Sequence, residues 1–174
     1  GAGPHGISSL QIVDNLIPYV KLEEEKLRDE GAKIFGRFEA GKIVPHPMRI
    51  SSTCTRVGVS DGHVAAVSLA CERPAPVEEV KELLNSFRGE AQELGLPSAP
   101  GKPIHLTEEI DRPQPRLDRN VEGGMAVVVG RVREEPALPN GVKFVVCGHN
   151  KARGTAGNTL LCAELLYAKK LLDG

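Results

Sequence analysis

The chain has 174 residues, with 22 Lys and Arg against 23 Asp and Glu, a formal net charge of −1. That balance lacks the electrostatic footprint of a nucleic-acid or anionic-membrane binder, and no apolar run approaches the ~20 residues that span a bilayer. Aromatic residues are scarce, with no Trp, two Tyr and four Phe, which argues against base-stacking platforms.

The length fits one domain that buries roughly two thirds of its unfolded surface. Cys54, Cys71, Cys147 and Cys162 are scattered, with no CxxC pair and no His at metal-ligand spacing, so they read as reduced, structural thiols of a cytoplasmic protein. No metal site is expected. The opening "GAGPHGISS" is glycine-rich and has no preceding Met, which reads as a piece of a longer protein or as a remnant of tag removal.

Taken in chain order, "ISSLQIVDNLIPYV" reads as a short helix or turn passing into an extended piece, because Pro18 stops a helix running through. "KLEEEKLRDEGAKIFG" predicts a helix closed by Gly36, with a break allowed at Gly31. Residues 48–59 and 63–71 alternate apolar and polar around "SDG", which predicts two strands joined by a turn, or one strand broken by a bulge. A helix follows Pro76 and ends by Gly89, and "IHLTEE" is a short strand.

"DRPQPRLDRN" reads as a polar loop. "GGMAVVVGRVREE" and "GVKFVVCGHN" are strands, the second opened by the Asn140–Gly141 turn signal, and "NTLLCAELLYAKKLLDG" is a long amphipathic helix. Strands and helices intersperse without strict alternation, so the expected fold class is α+β: a mixed, largely antiparallel sheet covered by helices on one face. The uncovered face of such a sheet needs a partner. GxGxxG, GxxxxGK[ST], GxSxG and HExxH are all missing from the sequence.

Three places offer chemistry. Arg56 and His63 stand seven residues apart, about 23 Å along a straight strand and on opposite faces. They can serve one site only if "SDG" bends the chain, which Gly58 and Gly62 make cheap. An Arg can grip a carboxylate and a His can move a proton near neutral pH; both are equally ordinary polar residues at strand ends. In "EEEK", Glu23 and Lys26 share a helix face and offer a carboxylate for an amine and an ammonium for a phosphate, or simply a solvated face. In "HNKARGTAGN" a strand gives way to a helix start suited to an anion or a cofactor amide, or to plain capping by Asn150 or Thr155.

These signals occur in an order that resembles the C-terminal part of aspartate-semialdehyde dehydrogenase, in the archaeal and fungal branch. The matching stretches are "GAGPHGISSLQIVDNLIPY", "EEEK", "ISSTCTRVGVSDGH", "ELGLPSAPGKPI", "DRPQPRLDRNVEGGMAVVVGRVRE" and "KFVVCGHNKARGTAGNTLLCAELL", which together cover nearly the whole chain. The resemblance implies an NADPH-dependent reductive dephosphorylation of L-4-aspartyl phosphate to aspartate semialdehyde, in the biosynthesis of lysine, threonine, methionine and isoleucine. By motif, His63 would be the acid/base catalyst. Arg56 would hold the substrate carboxylate, Glu23 its amino group and Lys26 its phosphate. Asn150 would lie near the nicotinamide, and Gly1 and Gly3 resemble the glycine loop beside it.

The family's dinucleotide-binding domain and its nucleophilic cysteine, in an Asn-Cys motif, are not in this sequence. The resemblance therefore implies that residues 1–174 are a C-terminal substrate-binding and dimerisation domain, like that of glyceraldehyde-3-phosphate dehydrogenase. Such a domain would be inactive alone, would bind NADP mostly through the missing half, and would assemble as a homodimer or homotetramer. The alternatives are a malonyl-CoA or succinyl-CoA reductase on the same scaffold, or a non-catalytic dimerisation module.

Overall fold

The computed structural model describes residues 12–172 and divides between Val59 and Ser60 into two compact units.

In the first unit, helix α1 spans Glu23–Ile34. Glu23, Glu24 and Glu25 occupy its first turn and Lys33 its last, each complementing the helix dipole. The helix runs unbroken through Gly31, where an added Cβ would lie 2.6 Å from Ile50 Cδ1, so this glycine serves close packing rather than a break. Strands β1 (Arg37–Glu39) and β2 (Lys42–Val44) form a hairpin that the sequence reading did not contain. Ala40 and Gly41, at φ 48° and 78°, make its turn with both central residues in the left-handed region.

Residues 48–59 do not form the expected strand. Among the described residues they pair at Arg56, which exchanges main-chain hydrogen bonds with Ile17 at 2.9 and 3.1 Å. Alternation made them strand-like, but among the described residues no neighbouring strand continues the ladder.

The second unit is built on a four-stranded sheet ordered β3-β6-β5-β4: β3 His63–Leu69, β4 Ile104–Thr107, β5 Val127–Glu134 and β6 Val142–Gly148. β3 and β5 each pair antiparallel with β6, while β4 runs parallel to β5, giving the mixed, largely antiparallel sheet expected. The ladder between β5 and β6 is interrupted between Gly130 and Arg133, where Arg131 turns to φ 57°. Val128, Val129, Val142 and Cys147 bury the middle of this sheet, whereas β3 is exposed at every position except Val67.

Helix α2 (Val77–Ser86) packs on β4 and β5, and a short α3 (Glu90–Glu93) follows it. The segment expected as a polar loop contains a helical turn, α4 (Pro115–Asp118). Helix α5 (Gly157–Ala168) is shorter and less sided than expected: Leu161 is buried, while Leu160, Leu166 and Tyr167 are exposed. The Asn140–Gly141 signal does sit in the β5–β6 connection, with Asn140 at φ 48°. Gly141, however, is required by the close approach of the Glu135 carbonyl.

Candidate active site

Two groups of candidate residues lie in separate units. In the first, Glu23 and Lys26 form an ion pair at 3.4 Å across the first turn of α1, both about half exposed. Next to them, Glu24 Oε1 accepts the Cys54 main-chain N–H at 2.8 Å, which ties the start of α1 to the segment carrying Arg56. The structure therefore places Glu23 and Lys26 side by side, and ties Glu24, between them in sequence, to Cys54, two positions before Arg56. Burial pushes the Cys54 thiol up from its ordinary value, and the carboxylates of Glu24, Glu23 and Glu25 push it further. A thiol so placed is a poor source of thiolate, in keeping with a structural role.

In the second unit, His63 opens β3 opposite Gly148, the last residue of β6, and is exposed. The turn before it is tethered residue by residue. Arg119, at the end of α4, donates from Nη1 to the Asp61 carbonyl at 3.0 Å and to Ser60 Oγ at 3.2 Å. Lys151 Nζ stands 2.8 Å from Asp61 Oδ1, and this ion pair holds the Asp61 carboxyl below the usual range. Asn150 Oδ1 accepts the Gly62 main-chain N–H at 3.0 Å. Gly62 itself sits at φ 107°, with Pro115 so close that an added Cβ would lie 3.1 Å from its Cβ.

The "HNKARGTAGN" segment is therefore used differently from either plain capping option. Neither Asn150 nor Thr155 caps the helix start. His149 Nδ1 accepts the main-chain N–H groups of Lys151 and Ala152, at 3.2 and 3.4 Å. A π-helical turn at Ala152–Ala156, with Gly154 N–H bonded to His149 O, then leads into α5. Thr155 donates its hydroxyl back to the Lys151 carbonyl. The Val121–Gly124 turn lies against this segment; Gly124, at φ 83°, leaves no room for a Cβ between His149 and Ala152.

Sequence reasoning missed Arg119, Asp61 and Lys151. The only available signal was their clustering in the unexplained motifs "SDGH", "DRPQPRLDRN" and "HNKARG". Gly1 and Gly3 lie outside the described residues. Among the described residues, no group of three or more His, Cys, Asp or Glu could hold a metal ion.

Residues 2–152 match the family profile described as "Semialdehyde dehydrogenase, dimerisation domain". The chain is 45% identical over 166 residues to the aspartate-semialdehyde dehydrogenase of Methanothermobacter thermautotrophicus, covering 95% of this chain and 48% of that protein. It superposes on the Candida albicans aspartate semialdehyde dehydrogenase, solved with NADP, with a TM-score of 0.88 and 44% identity, over 96% of this chain and 48% of that one. Aspartate semialdehyde dehydrogenase II of Vibrio cholerae, solved in complex with ASA, aligns with a TM-score of 0.68 and 29% identity, over 90% of this chain and 42% of that one. The chain thus spans about half the length of the relatives it matches.

Proposed function

The chain belongs to the semialdehyde dehydrogenase dimerisation-domain family, and from that premise we propose that it is the C-terminal, substrate-binding and self-associating half of an aspartate-semialdehyde dehydrogenase. The whole enzyme, a cytoplasmic one in this reading, reductively dephosphorylates L-4-aspartyl phosphate to aspartate semialdehyde. The observation that carries the reading is the likeness along 96% of the chain to the Candida albicans enzyme.

Within this half, Arg56 grips the substrate carboxylate. Its planar fork suits a two-point hydrogen bond to a carboxylate. Glu23 takes the substrate ammonium and Lys26 its phosphate; at 3.4 Å they pair with each other, and substrate would exchange for the partner. His63, exposed at the head of β3, carries the proton. The acyl-accepting cysteine belongs to the other half of the enzyme.

The cofactor, bound as NADPH, would supply the hydride for this reduction. In this half, Asn150 is the residue proposed to face the nicotinamide end of such a group. Asn150 has its Oδ1 committed to Gly62, which turns its amide nitrogen into an available donor for a carboxamide oxygen. Self-association uses the sheet: β3 is exposed at every position except Val67, and a second copy would cover it as a dimer or within a tetramer.

The test is turnover by the full-length polypeptide. With aspartate semialdehyde, phosphate and NADP it should reduce NADP, and malonyl-CoA should not replace the substrate in the reverse assay. Preference for malonyl-CoA or succinyl-CoA would overturn the substrate assignment, because those acyl groups carry no amine for Glu23.

A further inference from the structure

We propose that the 111–120 segment is a positioning platform for His63, with Arg119 as its working residue; the inference rests on His63 being the acid/base group proposed above.

β3 cannot orient its own first residue by packing, because it is exposed along almost its whole length. Orientation must come from the turn that precedes it, and each residue of that turn is held. Ser60 is held at its hydroxyl and Asp61 at its carbonyl, both by one Arg119 nitrogen. Gly62 is held at its N–H by Asn150 and against Pro115 at its Cα.

These tethers are not equal. The Asp61–Lys151 pair involves a lysine side chain 74% exposed, and exposed pairs contribute little. The bond from Arg119 to the Asp61 carbonyl is partly buried and charge-assisted, so it is the stronger constraint.

Arg119 is itself rigidly mounted. One residue before it, Asp118 is 2% exposed and accepts from Arg112 Nε and Nη2 and from the Gln114 main-chain N–H. A buried carboxylate satisfied from three donors fixes α4 in one place. The chain of support runs from Arg112 to Asp118, through α4 to Arg119, and then to the residues that lead into His63. Proton transfer depends steeply on placement, so loosening this turn by about 1 Å lowers the rate by roughly ten- to hundredfold without touching substrate.

The experiment is a double-mutant cycle in the full-length enzyme with Arg119→Met, His63→Ala and the pair, following kcat and KM for aspartate semialdehyde. Arg119→Met should lower kcat roughly ten- to hundredfold and leave KM within about twofold. On the His63→Ala background it should have no further effect, and Arg119→Lys should recover part of the loss. If the Met variant does not fold, Arg119→Gln, which keeps one donor, should show a smaller loss of the same kind. An unchanged kcat for Arg119→Met, or the same fold-loss with and without His63, would overturn the positioning role alone. Should His63→Ala itself leave kcat unchanged, the acid/base reading falls and this inference falls with it.

Discussion

Asn150 and Gly62 are 88 residues apart in sequence, and the side-chain oxygen of the first accepts the main-chain N–H of the second at 3.0 Å. That bond joins the segment after β6 to the turn before β3, so His63 and Asn150 are fixed with respect to one another by the protein itself. Asn150→Ala removes both this tether and the proposed nicotinamide donor. It should raise the KM for NADP and lower kcat together in the full-length enzyme. A change in neither would contradict both uses of the residue.

Gly62 occupies a backbone conformation that side chains rarely adopt. At φ 107°, with Pro115 close by, an alanine meets backbone strain and a tight 3.1 Å contact together. Gly62→Ala should destabilise by about 1–3 kcal/mol, measured by denaturant unfolding, and should lower turnover more than stability alone explains. Wild-type stability in this variant would mean that the turn relaxes freely.

The Arg112–Asp118 pair makes stability depend on acid. Arg112 N–H groups, and then the Gln114 main-chain N–H, hold the Asp118 carboxyl below its ordinary value against the opposing effect of burial. Its folded pKa lies below its unfolded one, so the stabilisation is complete above the unfolded value and is lost as pH falls through the folded value. Unfolding free energy should therefore decline as pH drops below about 4, and Asp118→Asn should make that slope shallower. Arg112→Met, which strands a buried carboxylate, should cost about 3–5 kcal/mol at neutral pH. An acid slope identical in Asp118→Asn would remove this carboxylate from the account.

Cys54 should behave as a bystander. Its thiol is pushed up by burial and by Glu24, Glu23 and Glu25, so alkylation at pH 7.5 should be slower than that of a free thiol such as glutathione. Cys54→Ser should keep the full-length rate within about twofold. Rapid alkylation with loss of activity would restore it as a nucleophile candidate.

Much of the sheet was legible because its strands announce themselves locally. The runs ending in β5 and β6 are dense in valine, and α1 carries its acidic start and its stop within 16 residues of sequence. The β1–β2 hairpin escaped because its strands are three residues each and wholly exposed, leaving no apolar period to read. Residues 48–59 misled in the opposite sense: they alternate, yet alternation describes faces and cannot supply a partner strand. α4 was hidden in Pro and charge, and it persists because a buried pair between Arg112 and Asp118, six residues apart, holds it.

The site divides in the same way. Glu23, Lys26, Arg56, His63 and Asn150 are proposed from motif order. The groups that hold the His63 turn were not, since Arg119 lies 58 and 59 residues from its acceptors and no local pattern marks such a bond.

The most direct measurement is kcat of the full-length enzyme carrying His63→Ala, with aspartate semialdehyde, phosphate and NADP. A proton carrier contributes about 10²–10⁴-fold, so kcat should fall by at least a hundredfold while KM changes little. A variant that retains its rate within twofold would contradict the account and leave this chain as a dimerisation module only.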